Sequence, residues 1–182
     1  MVRWYLVFLI GLFAVGCGVK GTDAESDQEQ SSIEEVEFDQ VKYDLVDLSP
    51  FGISAQIHVP NKKVTNVDPE VFVNESSGSI KVNSGNKFSL NIVETEMDKS
   101  LIISDLNDDL LFENTVIEEE EHFIKYRSQL PDGSQEFFHF CAWIEINGTK
   151  YLVENDKSQN FSDHYLNRMI KSVKSIQLNS AI

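Results

Sequence analysis

The sequence is poor in three things, and each shortage removes a class of protein. Only two cysteines, Cys17 and Cys141, occur in 182 residues. That is too few for a disulfide framework, so the core must stand on packing. Basic residues are scarce, with 15 Lys+Arg against 30 Asp+Glu and a formal net charge of −15. Such a chain repels phosphate backbones, which excludes nucleic acid as a partner. It repels anionic lipid head groups as well, which excludes attachment through a basic patch. Long apolar runs are missing too. The stretch from Trp4 to Val15, broken only by Gly11, is too short to span a bilayer comfortably as a permanent helix. Nor is there a phosphate-cradling Gly loop, a Ser nucleophile elbow, a zinc-protease helix or a Cys-x-x-Cys pair.

The short apolar run has the flanks of a processed leader. Arg3 supplies its positive charge, and Ala14-Val15-Gly16-Cys17 resembles the lipobox of bacterial lipoproteins, with Ala14 standing where Leu is usual. The resemblance implies that residues 1–16 are a signal peptide and that Cys17 becomes an acylated N-terminus. An ordinary secretory signal and an uncleaved anchor are the alternatives. With Cys17 lipidated, Cys141 has no intramolecular partner. After Cys17, residues 18–37 are rich in Gly, Ser, Asp, Glu and Gln and almost free of large apolar side chains. Residues 17–37 therefore read as the acylated Cys and a disordered acidic tether, and 38–182 as a single globular domain.

Alternation marks most of that domain. Val41, Tyr43 and Leu45 alternate, and in Gly52–Val59 the residues Ile53, Ala55, Ile57 and Val59 share one face, with Pro60 as the stop. Asn61-Lys62-Lys63 reads as a turn. Short strands follow around Val71–Asn74, Ser79–Val82 and Lys87–Val93. The period then changes: Met97, Leu101, Ile102, Leu106 and Leu110 recur at helical spacing. Val116–Ser128 returns to strand character, Pro131-Asp132-Gly133 reads as a turn, and Glu136–Ile146 as the longest strand. Asn147-Gly148 is the strongest hairpin signal, with Lys150–Val153 returning from it. Ser162-Asp163 opens a final helix that aligns Tyr165, Leu166, Met169, Ile170 and Val173.

The longest strand has one wholly apolar face (Phe138, Phe140, Ala142, Ile144, Ile146) and one mixed but bulky face (Phe137, His139, Cys141, Trp143, Glu145). A strand apolar on both sides is covered on both sides. A two-residue Asn147-Gly148 turn sets Ile144 against Tyr151, Ala142 against Val153 and Glu145 against Lys150. The expected fold is α+β: an antiparallel β-sheet with a mid-chain amphipathic helix and a C-terminal helix packed on it, an α/β/α sandwich.

The pieces Gly52–Pro60, Met97–Leu110, Glu121–Val153 and Met169-Ile170-Lys171-Ser172-Val173 resemble those of uncharacterised lipoproteins of Bacteroidetes bacteria. Their order is similar to the Mog1/PsbP-like fold, which closes with such a helix. That resemblance implies an accessory or binding protein without a shared active site.

A two-residue turn at Asp132-Gly133 places His139 opposite Tyr126, Cys141 opposite Ile124 and Trp143 opposite His122. One face then gathers His122, Tyr126, His139, Cys141 and Trp143 as a candidate binding face. The commonest meaning of such a set is buried structure. Zinc or copper ligation and a Cys–His nucleophile pair are the sharper alternatives. Asp105-Leu106-Asn107-Asp108-Asp109 begins like a calcium loop but lacks the required Gly and the final Glu, so it and Glu118–Glu121 read as solvated acidic patches. The expectation is a non-enzymatic lipoprotein with no cofactor and no resident metal. It is anchored in the cell envelope by its acyl chains, with the outer membrane the expected location, and it has a protein partner there. An envelope hydrolase or metal-handling protein using His122, His139 and Cys141, and a structural surface lipoprotein, are the competing expectations.

Overall fold

The structure, a computed structural model, describes residues 38–179. The leader, Cys17 and the tether lie outside the described residues. The chain opens with an antiparallel hairpin of β1 (Tyr43–Asp47) and β2 (Ala55–Pro60), joined through a 3-10 turn at Ser49–Phe51. The alternation read from the sequence holds: Ile53, Ala55, Ile57 and Val59 are all buried. Asn61-Lys62-Lys63 does more than turn. Asn61 accepts a hydrogen bond from Lys63 N and starts a one-turn helix, α1 (Lys62–Thr65), because its side chain satisfies a backbone donor that the helix start leaves open.

Seven strands make the main sheet. They are β3 (Glu70–Val73), β4 (Ile80–Asn83), β5 (Ser89–Glu94), β6 (Glu113–Glu120), β7 (Phe123–Gln129), β8 (Glu136–Ile146) and β9 (Thr149–Asn155). Their spatial order is β3-β4-β5-β9-β8-β7-β6, antiparallel throughout. Between β5 and β6 comes α2 (Lys99–Asn107), and after β9 comes α3 (Asp163–Val173). A last short strand, β10 (Gln177–Leu178), pairs with β2 and completes a separate three-stranded sheet, β1-β2-β10. The fold is therefore mixed α+β and mainly β.

Each face of the seven-stranded sheet has its own apolar layer. On one side Phe123, Phe140, Ala142, Val153 and Leu90 pack with Leu166, Met169 and Val173 of α3 and with the inward residues of β2. On the other side Ile124, Tyr126, Cys141, Trp143 and Leu152 pack with Ile102 and Leu106 of α2. The two sheets are tied at one corner by Ser84, whose hydroxyl donates to Pro60 O at 2.8 Å and meets Thr65 Oγ1 at 2.7 Å. Among the described residues no helix is long and apolar enough to cross a membrane.

Two sequence expectations are corrected here. Val116–Ser128 is not one strand: a tight turn at Glu121-His122 splits it into β6 and β7, with Glu120 paired to Phe123. No Gly, Pro or Asn marks that turn. The second correction concerns α2, which stops at Asn107 and has Ile102 as its one buried residue. Leu101 is exposed, and Leu110 lies beyond the helix, 96% exposed. The helix ends because Asp109 accepts hydrogen bonds from Leu111 N (2.8 Å) and Phe112 N (3.2 Å), a local turn that competes with further helix.

Candidate functional site

Register delivers the site. The Pro131–Ser134 connection is wider than two residues, closing with Leu130 N donating to Gln135 O. It is nevertheless centred on Asp132-Gly133, with Gly133 at φ 70°. Widening a hairpin by one residue on each side leaves the pairing unchanged, so Tyr126 still meets His139 and Ile124 still meets Cys141. Across the Asn147-Gly148 turn, whose two residues both have positive φ, Ile144 meets Tyr151, Ala142 meets Val153 and Glu145 meets Lys150, all as expected.

Four of the five expected residues share one face. Tyr126, His139, Cys141 and Trp143 all face the α2 side, where Trp143 Nε1 donates to Met97 O at 3.0 Å and holds the approach to α2. His122 departs from them. Its backbone carbonyl does accept from Trp143 N at 2.9 Å, as the register requires. Its side chain, however, sits in the β6–β7 turn, 71% exposed, with Nε2 3.6 Å from Glu121. A turn residue is released from the two-sided alternation of a strand, which is why the five do not close into one cluster. Among the described residues no group of three or more His, Cys, Asp or Glu side chains is placed to hold a metal ion.

Beside α2 this face opens into a cleft of about 550 Å³. Its floor runs across β6–β9 through Asn114, Tyr126, Phe137, His139 and Glu154, and its walls are Ile102, Asp105 and Leu106 of α2, the Asp109–Phe112 loop and Lys157. The rings form a continuous row. Phe112 meets Phe137 edge-on at 5.8 Å, Phe137 lies nearly parallel to His139 at 6.5 Å, and Tyr126 lies 5.2 Å beyond.

The imidazole, thiol and phenol here are held in their uncharged, poorly reactive forms. Burial pushes His139 down to about 4, assisted by the Lys157 charge, so it is a neutral imidazole at pH 7. Burial pushes the Cys141 thiol up to about 12, and the Glu154 carboxylate beside it, 3.9 Å from Sγ, acts in the same direction. Burial likewise raises Tyr126. Lys157 pairs with Glu154 at 2.7 Å. Burial alone would lower its ammonium, but the negative groups around it, of which the Glu154 carboxylate is the one charged at neutral pH, outweigh that and hold it charged. A fully buried thiol with a raised pKa is a poor nucleophile and a poor metal ligand.

Three residues that shape this region carried no signal in the sequence reading. Asn155 joins His139 to Phe140. Buried Lys125 reaches from β7 to Asp163 (2.7 Å) and Asn167 (2.8 Å) at the start of α3. Asp156 gathers Lys81, Ser89, Ser158 and Gln159 around its carboxylate and pins the β9–α3 loop. No periodic pattern could have found them, since each is a polar residue placed by long-range packing. The cleft's acidic wall was visible only as the failed calcium loop.

No protein-family model matches the chain, and neither does any curated protein or any solved structure. The functional reading rests on the residues themselves.

Proposed function

We propose that this protein is a lipoprotein of a Gram-negative-type cell envelope, acylated at Cys17 and held at the outer membrane, that works as a binding or accessory subunit without turnover. The lipobox-like Ala14–Cys17 and the acidic residues after it support the anchor. The observation that carries the binding role is the cleft beside α2: it is roomy and lined by rings, yet the imidazole and phenol in its lining, and the Cys141 thiol buried in the same layer, are all held in forms that do not attack a substrate. The hydrolase or metal-handling reading required His122 beside His139 and Cys141, and the geometry lends it no support. A Mog1/PsbP-like fold belongs to the same proposal. Helices packed on opposite faces of the sheet support its α/β/α layering, and the β1-β2-β10 sheet is an addition to it.

The test is palmitate labelling and fractionation of the full chain beside Cys17→Ala, followed by in-cell cross-linking and capture through a C-terminal tag. Labelling, membrane recovery and one stoichiometric partner are expected, all lost in Cys17→Ala. An unlabelled wild-type chain would overturn the anchor, and activity that depends on His139 and Cys141 would overturn the binding role.

A further inference from the structure

The lining of the cleft beside α2 is unbalanced in charge. Asp105, Asp109 and Glu154 contribute three carboxylates, while Lys157 is the one cation among the lining residues and is already paired with Glu154. Among the described residues Asp105 and Asp109 make no ion pair, although Asp109 accepts hydrogen bonds from Leu111 N, Phe112 N and Asn114 Nδ2; both line the cleft that holds the row of rings. Aromatic faces carry negative quadrupole potential, and a neutral imidazole adds a π-face without adding positive charge.

We propose that the cleft binds an amphipathic organic cation: an ammonium or quaternary ammonium group attached to an apolar arm. The cationic head lies over the ring row, between Phe137 and the Asp105 and Asp109 carboxylates. Its arm lies along Ile102 and Leu106 of α2 and Leu152 of β9, all of which line the cleft. Four observations support this occupant over a neutral or anionic one. The rings are contiguous; Asp105 and Asp109 line the same cleft; its single lysine is paired with Glu154; and the chain as a whole, at −15, draws cations toward it. An anionic head would meet two unpaired carboxylates and no free cation in the lining. This inference rests on the cleft being the binding site proposed above.

The test is calorimetric titration of the full chain with three water-soluble probes of one shape: benzyltrimethylammonium, the net-neutral N-oxide of dimethylbenzylamine, and phenylacetate. The ring protons of His139, followed by NMR, report whether a probe enters the cleft. The ammonium probe is expected to bind about tenfold more tightly than the N-oxide, to weaken as salt rises, and to shift the His139 signals. Asp105→Asn with Asp109→Asn keeps the side-chain oxygens that accept hydrogen bonds, and should cost about tenfold in its affinity. Asp68→Asn, in the α1–β3 loop, should cost nothing. Phe137→Leu keeps an apolar side chain without a π-face and should weaken the ammonium probe alone. If the N-oxide or phenylacetate binds as tightly and shifts His139, the cation inference falls and the cleft remains the binding site. If no probe shifts His139 and the cross-linked partner maps to another face, the cation inference and the cleft as the binding site both fall.

Discussion

The Asn155 side-chain amide fixes where His139 carries its proton. Its Oδ1 accepts from Phe140 N at 3.0 Å, which leaves Nδ2 to donate to His139 Nδ1 at 3.1 Å. With Nδ1 accepting, the neutral imidazole bears its hydrogen on Nε2. The same amide ends a strand pairing. The β8–β9 ladder stops at Cys141 and Glu154, and Asn155 takes the next position with its side chain.

Asn155→Leu should therefore be costly out of proportion to its size. It strands a buried N–H and a buried ring nitrogen, for a loss of about 2–4 kcal/mol. Urea unfolding measures the loss. The imidazole nitrogen shifts check the tautomer, which should become mixed once its partner is gone.

Acid should destabilise the fold through His139. Its folded-state pKa is about 4 against an ordinary 6.5, so between those values the unfolded chain takes up a proton that the folded chain refuses. The stability is fully present above pH 6.5 and is lost as pH falls toward 4, by about 3 kcal/mol from this group. Carboxylates such as Asp156, held low by Lys81, Ser158 and Gln159 against the effect of burial, add a loss of the same sign at lower pH. Comparing His139→Phe with the wild type isolates the histidine: the variant's stability should change less between neutral pH and pH 4. Equal slopes in the two proteins would remove His139 as the cause.

Cys141 is fully buried, with its thiol pushed up to about 12. In the Cys17→Ala chain, where Cys141 is the one cysteine, alkylation by iodoacetamide should be at least about a hundredfold slower in buffer than in urea. Rapid modification of the folded chain would mean that the β8–β9 region opens far more readily than its packing allows.

Lys125 clips the start of α3 to β7. Lys125→Ala removes a buried stem and two polar contacts, for about 2 kcal/mol, while Lys125→Met keeps the stem and should lose about half as much. Denaturation midpoints of the pair separate packing from charge. Leu166→Ala, at the centre of the same layer and with no exposed surface, should cost about 2–5 kcal/mol by leaving a cavity.

Much of this architecture is legible in the sequence because alternation is local. Ile53, Ala55, Ile57 and Val59 announce a one-sided strand. Phe140 and Ala142 separate from Cys141 and Trp143 by simple parity, and Asn147-Gly148 sets the pairing of β8 with β9. The site was legible to the same extent. Tyr126, His139, Cys141 and Trp143 come together because hairpin register follows from the centre of a turn. His122 was misplaced because the Glu121-His122 turn contains none of the residues that usually mark one. Leu101 and Leu110 were misplaced because helical spacing does not say where a helix stops or how it rotates.

What the sequence determined by itself, then, is most of the strands and their faces, the closing helix and the acidity of the chain, all fixed by side-chain period and composition over short distances; the β6–β7 turn and β10 were not among them. Tertiary structure alone decided that α2 and the loop after it leave a cleft against the sheet. It alone placed Asn155, Lys125 and Asp156 at their joints, and set the rings of Phe112, Phe137, His139 and Tyr126 in one row from the cleft wall onto its floor. Those arrangements join residues far apart in the chain, and their energy comes from desolvation and contact that exist only once both partners are packed.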